Sequence, residues 1–187
     1  DTLEALKMAK SAGLKTLVIC NVDNSSMTRV ADFTILTRAG IEKGVASTKA
    51  FISQLVVLAL FALHLGRDRG MTLEDGKEFI KSLQGLSEKV KTIQGTKDEL
   101  EKIADKYKDM RDFLFIGRKV NYPTALEGAL KLKEISYVHA EGYSAGEMKH
   151  GPIALIDDKQ PVICIAPNSK TYDKMISNIE EIKEIGR

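Results

Sequence analysis

The chain has 187 residues, 43% of them hydrophobic and 29% charged, with 28 basic side chains against 26 acidic ones and a formal net charge of +2. That length and apolar content suit one or two globular domains with a sizeable core and argue against a disordered chain. The balanced charge, with no basic stripe interleaved with aromatics, excludes nucleic acid as the expected partner.

In chain order, Leu3, Leu6 and Ala9 give a short helical stripe that Gly13 stops, and Lys15–Cys20 then reads as a buried strand. Phe33–Thr37 reads as a second strand. After VASTKAF at 45–51 a long apolar helix runs to about Arg67–Gly70, with Ser47 as its expected N-cap. The free N–H groups and dipole at such a helix start favour an anion or an oxygen-rich ligand, helped by Lys49. From Thr72 to about Tyr107 the texture becomes charged and helical, with one apolar stripe over Phe79, Ile80, Leu83, Leu86, Val90 and Ile93 and a second over Leu100, Ile103, Ala104 and Tyr107. Strand signals return at Phe113–Ile116, followed by a helix from near Tyr122 past Ser136, a glycine-punctuated loop at 139–152, a strand at Val162–Ala166 and a closing helix with Tyr172, Met175, Ile176, Ile179 and Ile182 inward. The alternation of helix and strand predicts an α/β fold of parallel sheets flanked by helices in three layers.

Cys20 and Cys164 each close a strand-like run, which predicts reduced core thiols and a cytoplasmic setting rather than a disulfide framework. No pairing of the cysteines with His64, His139 or His150 has metal-ligand spacing, so no metal is expected. The longest apolar run, Leu55–Leu65, is too short for a bilayer, and no membrane segment is expected. The missing initiator Met, the start inside a helix, and Gly186 as a C-cap at the close predict a piece of something larger.

The chemistry concentrates after residue 120. In ALEGALKLKEISY at 125–137, helical geometry puts Glu127, Lys131 and Glu134 on one narrow stripe, with Leu126, Ala129, Leu130, Leu132, Ile135, Ser136 and Tyr137 around a circumference expected to be mostly buried. The spacing reads equally as an ion-pair ladder or as a site. The following HAEGYSAGEMKHGP brings His139, Glu141, Glu147, Lys149 and His150 nearby and tilts the balance toward a site. His150, in a turn beside Gly151 and Pro152, is expected to be reachable by solvent, His64 to be a satisfied histidine at the edge of a core, and His139 is assigned to neither class.

Taken together, STKAF at 47–51, ALEGALKLKEISY at 125–137 and GEMKHGPIALID at 146–157 resemble the isomerase half of the glucosamine-6-phosphate synthase family over nearly the whole chain. The resemblance implies two sugar isomerase (SIS) domains, both incomplete: the C-terminal part of the first at 1–70, a helical connector at 71–109, and the N-terminal part of the second at 110–187. It implies conversion of fructose-6-phosphate and glutamine-derived ammonia to glucosamine-6-phosphate, without a cofactor. Glu134 matches the family's enolisation base, Lys131 the lysine near the sugar oxygens, and His150 the ring-opening histidine that reaches in from the partner of a homodimer. Val45, Ser47 and Thr48 match substrate contacts, and Glu127 orients Lys131. The family's phosphate loop, its C-terminal lysine tail and its glutaminase domain are not in these residues. The competing readings are an isomerase or deaminase of another sugar phosphate, and a sugar-phosphate-binding regulatory module without catalysis.

Overall fold

Thr16 and Asp32 show how the first strands are held in register. In the computed structural model, which describes residues 1–185, Asp32 Oδ2 accepts hydrogen bonds from the Thr16 backbone N–H at 2.9 Å and from Thr16 Oγ1 at 2.8 Å, while the Asp32 N–H donates back to Thr16 Oγ1 at 3.0 Å. Immediately beyond this lock β1 (Leu17–Cys20) and β2 (Phe33–Leu36) run parallel, Leu17 opposite Phe33 through Cys20 opposite Leu36. Helix α1 (Thr2–Ser11) leads into β1. The crossover is α2 (Ser26–Val30), capped by Ser25 Oγ accepting from the Thr28 N–H at 3.3 Å.

The chain divides into two compact units, Asp1–Gly95 and Thr96–Arg187. The first also holds α3 (Lys49–Asp68), α4 (Leu73–Gln84) and α5 (Leu86–Gln94). Leu63 of α3 and Val18 of β1 are its buried apolar side chains. Helix α4 comes close to α3 at Gly76, where an added Cβ would lie 3.3 Å from Arg67 Cδ and 3.7 Å from Leu63 Cδ1. The α4 start is capped by Thr72, whose Oγ1 accepts from the Asp75 N–H at 3.1 Å. By length and composition alone α3, with 20 residues and an 18-residue window of mean hydropathy 1.7, is long and apolar enough to cross a membrane, although the run Leu55–Leu65 by itself is not. The difference arises because the helix extends well beyond that uninterrupted run. Helix α3 contacts β1 and α4.

The second unit contains α6 (Lys97–Tyr107), β3 (Asp112–Gly117), α7 (Asn121–Ser136), β4 (His139–Ser144), 3-10 turns at Met148–His150 and Pro152–Leu155, β5 (Val162–Cys164) and α8 (Tyr172–Ile185). All three strands are parallel, in the order β4-β3-β5. Because side chains alternate across a strand, Leu114 and Ile116 of β3 face Met148, Ile156, Met175 and Ile182 on one side, while Phe115 faces Ala125 and Ala129 of α7 and Ala140 of β4 on the other. Both faces of the central strand are covered, as the apolar run FLFI requires.

Several expectations are corrected. The first half of the predicted loop at 139–152 is the edge strand β4. Helix α7 buries only Ala125 and Ala129; Leu126, Leu130 and Ile135 are exposed, so most of its circumference is not core. The apolar stripes of the 72–107 segment are likewise largely at the surface, with Phe79, Ile80, Leu86, Val90, Ile93, Leu100 and Ile103 exposed. In α8 the buried residues are Met175, Asn178 and Ile182, and Tyr172 is exposed. Cys20 and Cys164 are both free thiols at strand ends, and burial pushes the Cys164 thiol up to about 11. The expected C-cap Gly186 lies outside the described residues.

Candidate functional site

Helix α7 places the acid/base stripe because its packed face is set by small residues. Ala125 and Ala129 are 0% and 1% exposed against the sheet, and a helical projection from them puts Glu127, Lys131 and Glu134 on the opposite side. Lys131 Nζ stands 2.5 Å from Glu134 Oε2 and 3.4 Å from Glu127 Oε1, with all three side chains between 21% and 27% exposed. The hydrogen bond to Glu134, reinforced by both carboxylate charges, holds the Lys131 ammonium above its ordinary proton affinity. The stripe therefore places a cation between two acceptors. Such an arrangement can grip oxygens of a polyhydroxylated ligand while presenting a carboxylate to a C–H or O–H proton.

The distance between α7 and β4 is set by Gly142, since a Cβ there would lie 2.8 Å from Leu126 Cα and 2.9 Å from Leu126 N. Along β4, His139, Glu141 and Tyr143 occupy alternate positions. His139 Nδ1 lies 2.9 Å from Asp112 Oδ1 and its Nε2 3.6 Å from Glu141 Oε1, while Tyr143 donates to Glu141 Oε2 at 2.5 Å. The hydrogen bond to Glu141 raises the Tyr143 phenol above its ordinary value.

His150 ends the 3-10 turn that follows β4 and is exposed, as its place in the sequence predicts. Two contacts hold that turn: Met148, 1% exposed, sits in the core, and Lys149 Nζ pairs with Glu181 Oε1 of α8 at 2.8 Å. Among the described residues no hydrogen bond or ion pair joins His150 to the Glu127, Lys131 and Glu134 stripe. His64, expected at a core edge, instead has its side chain 71% exposed and 3.8 Å from Asp68, because it lies on the open side of α3.

In the first unit, Val45 is 92% exposed and Ser47 and Thr48 precede α3. Ser47 is not the N-cap. Thr48 takes that position without a side-chain cap, and the helix start is closed by Glu42. Its Oε1 accepts from the Thr48 N–H at 3.1 Å and its Oε2 from the Ala50 N–H at 3.2 Å and Ser47 Oγ at 3.1 Å. Two of the backbone donors expected to be free for an anion, at Thr48 and Ala50, are thus taken by a carboxylate of the same chain. No sequence signal marks Glu42, because this cap comes from a loop residue outside the usual cap positions. Among the described residues no group of three or more His, Cys, Asp or Glu side chains is placed to hold a metal ion.

The pattern of the SIS domain matches residues 1–64 and 106–186. The chain belongs to the SIS domain family. Among its relatives, the glutamine–fructose-6-phosphate aminotransferase (isomerizing) of Pyrococcus horikoshii is 53% identical over 186 residues, covering 100% of this chain and 31% of that protein. The enzyme of the same name from Idiomarina loihiensis is 50% identical over 187 residues, again 100% of this chain and 31% of that protein. The C-terminal domain of glucosamine-fructose-6-phosphate aminotransferase from Francisella tularensis has a similar fold, with a TM-score of 0.95 at 42% identity over 99% of this chain and 53% of that one. This SIS chain spans about a third of the length of the curated relatives it matches.

Proposed function

We propose that this chain is the sugar-isomerising part of a glutamine-dependent fructose-6-phosphate aminotransferase. The observation that carries the reading is the Glu127, Lys131 and Glu134 stripe on α7, within a chain matched along its whole length by enzymes of that name. In the proposed reaction the ketose ring opens, ammonia adds at C2 and water leaves, and a proton moves from C1 to C2 to give the 2-amino aldose phosphate. Glu134 takes the C1 proton and returns it at C2. Lys131 holds the adjacent sugar oxygen and Glu127 anchors Lys131. His150, exposed on its turn, supplies the ring-opening proton to the neighbouring subunit of a cytoplasmic homodimer. Val45, Ser47 and Thr48 contact the sugar, and no cofactor takes part. The helices at 71–109 connect parts of two SIS domains.

The test is the full-length protein encoded by the complete reading frame, assayed with fructose-6-phosphate and glutamine beside Glu134→Gln. A positioned general base contributes about 10²–10⁴-fold, so the variant is expected to lose at least 100-fold in kcat. A variant that retains full activity, or a parent that binds fructose-6-phosphate without converting it, refutes the reading, and the second outcome favours a regulatory binding module.

A further inference from the structure

Outside the α7 stripe, Glu42 accepts at both of its carboxylate oxygens. Besides its bonds from the Ser47 hydroxyl and the Thr48 and Ala50 N–H groups, its Oε1 lies 3.5 Å from Thr48 Oγ1. Lys49 Nζ closes the same loop from the other side by donating to the Ile41 carbonyl at 2.6 Å. Five donors from four consecutive residues, 47–50, are thereby spent on positions 41 and 42, and the segment between them is drawn into a closed ring. The Thr48 N–H is the largest cause of a Glu42 carboxyl held below its ordinary value.

Two consequences follow from the geometry. With a carboxylate already on the Thr48 and Ala50 N–H groups, a second anion at the start of α3 meets its repulsion, which disfavours a phosphate there. The same carboxylate fixes the Ser47 hydroxyl. With its proton directed at Glu42 Oε2, the Ser47 oxygen is left with lone pairs to offer a donor. A ligand approaching Ser47 is thus recognised through a hydroxyl that donates, not through an anionic oxygen.

We propose that Glu42 is a positioning residue. It closes the start of α3 in place of a ligand anion and orients Ser47 as an acceptor for a sugar hydroxyl. This rests on the reading of Ser47 as a sugar contact.

The test uses the full-length protein with Glu42→Ala and the isosteric Glu42→Gln, which keeps the shape if the alanine variant folds poorly. Expected for Glu42→Ala is a KM for fructose-6-phosphate raised about tenfold, the scale of one lost charged contact, with kcat within about twofold. Glu42→Gln is expected to fall between. Formate at tens of millimolar should lower the raised KM of Glu42→Ala by occupying the vacated donors, and leave the wild type unchanged. Amide hydrogen exchange at Thr48 and Ala50 should accelerate in Glu42→Ala. An unchanged KM in both variants, or kcat and KM falling together with the melting temperature and without formate rescue, overturns the positioning role. A wild-type protein silent on fructose-6-phosphate removes the functional reading and the positioning role with it, while slow exchange at Thr48 and Ala50 still reports the closed ring separately.

Discussion

Gly142→Ala tests how closely α7 and its stripe are tied to the sheet. The added methyl carbon would stand 2.8 Å from Leu126 Cα, 2.9 Å from Leu126 N and 2.9 Å from Leu126 Cδ2. Carbon–carbon contacts relax only at about 3.5–4.0 Å, so β4 and α7 must separate by several tenths of an ångström. Two of the three atoms are backbone, so no rotamer change relieves them. Overpacking of this kind costs about 1–3 kcal/mol, offset by about 0.4–1 kcal/mol because alanine restricts the unfolded chain more than glycine does. A net loss of about 1–2 kcal/mol lowers the melting temperature of a unit this size by about 5–15 °C. Gly128→Ala is the comparison: its Cβ meets Phe115 Cδ1 and Cε1 at 2.9 Å, ring atoms that can turn aside, and its loss should be smaller. Thermal unfolding followed by circular dichroism reads both. If Gly142→Ala melts within about 1 °C of the wild type, or Gly128→Ala is the worse of the two, the close approach does not set the α7 position and the reasoning fails.

Met148→Ala removes a side chain 1% exposed beneath the turn that carries His150, and is expected to cost about 2–5 kcal/mol in denaturant unfolding, the lower end applying if the cavity collapses; a loss below about 1 kcal/mol refutes the burial. Thr16→Val addresses acid stability. The Thr16 hydroxyl and N–H hold the folded Asp32 carboxyl below its ordinary 3.8, so its contribution is complete above that value and is lost as pH falls through the lower folded value. Removing the hydroxyl brings the folded value back toward 3.8, so the acid-unfolding midpoint should move to higher pH, and an unmoved midpoint refutes the assignment.

The parts of this fold that were legible in the sequence are those written in one local period. The Glu127, Lys131 and Glu134 stripe follows from 100° per residue alone, and FLFI announces a strand covered on both faces. Strand β4 was not legible because its alternation is filled by His139, Glu141 and Tyr143, and its interior Gly142 reads as punctuation although it marks a close helix approach. The Glu42 cap was hidden for a different reason, since cap signatures look within three residues of the helix and Glu42 reaches from farther off. Asn178, in a stripe that predicts only apolar neighbours, is buried because Arg118 Nη1 donates to its Oδ1 at 2.8 Å from across the sheet end. Each miss is a tertiary partner that no local pattern encodes.

The same geometry narrows which member of the α7 stripe can act as the base of the proposed reaction. Lys131 is excluded, because two carboxylates hold its proton more tightly than an ordinary lysine does. The two glutamates are not equivalent. The ammonium covers Glu134 Oε2 at 2.5 Å and reaches Glu127 only at 3.4 Å, so Glu134 is the one whose oxygen is screened at rest. A ligand oxygen that draws the ammonium away uncovers Glu134, while Glu127, one turn earlier, still balances the charge on Lys131. Binding and exposure of the proton acceptor are then one event. A carboxylate left permanently free would bind any passing cation or water, whereas on the proposed reading the acceptor is offered only when an oxygen-bearing ligand has replaced it as the partner of Lys131.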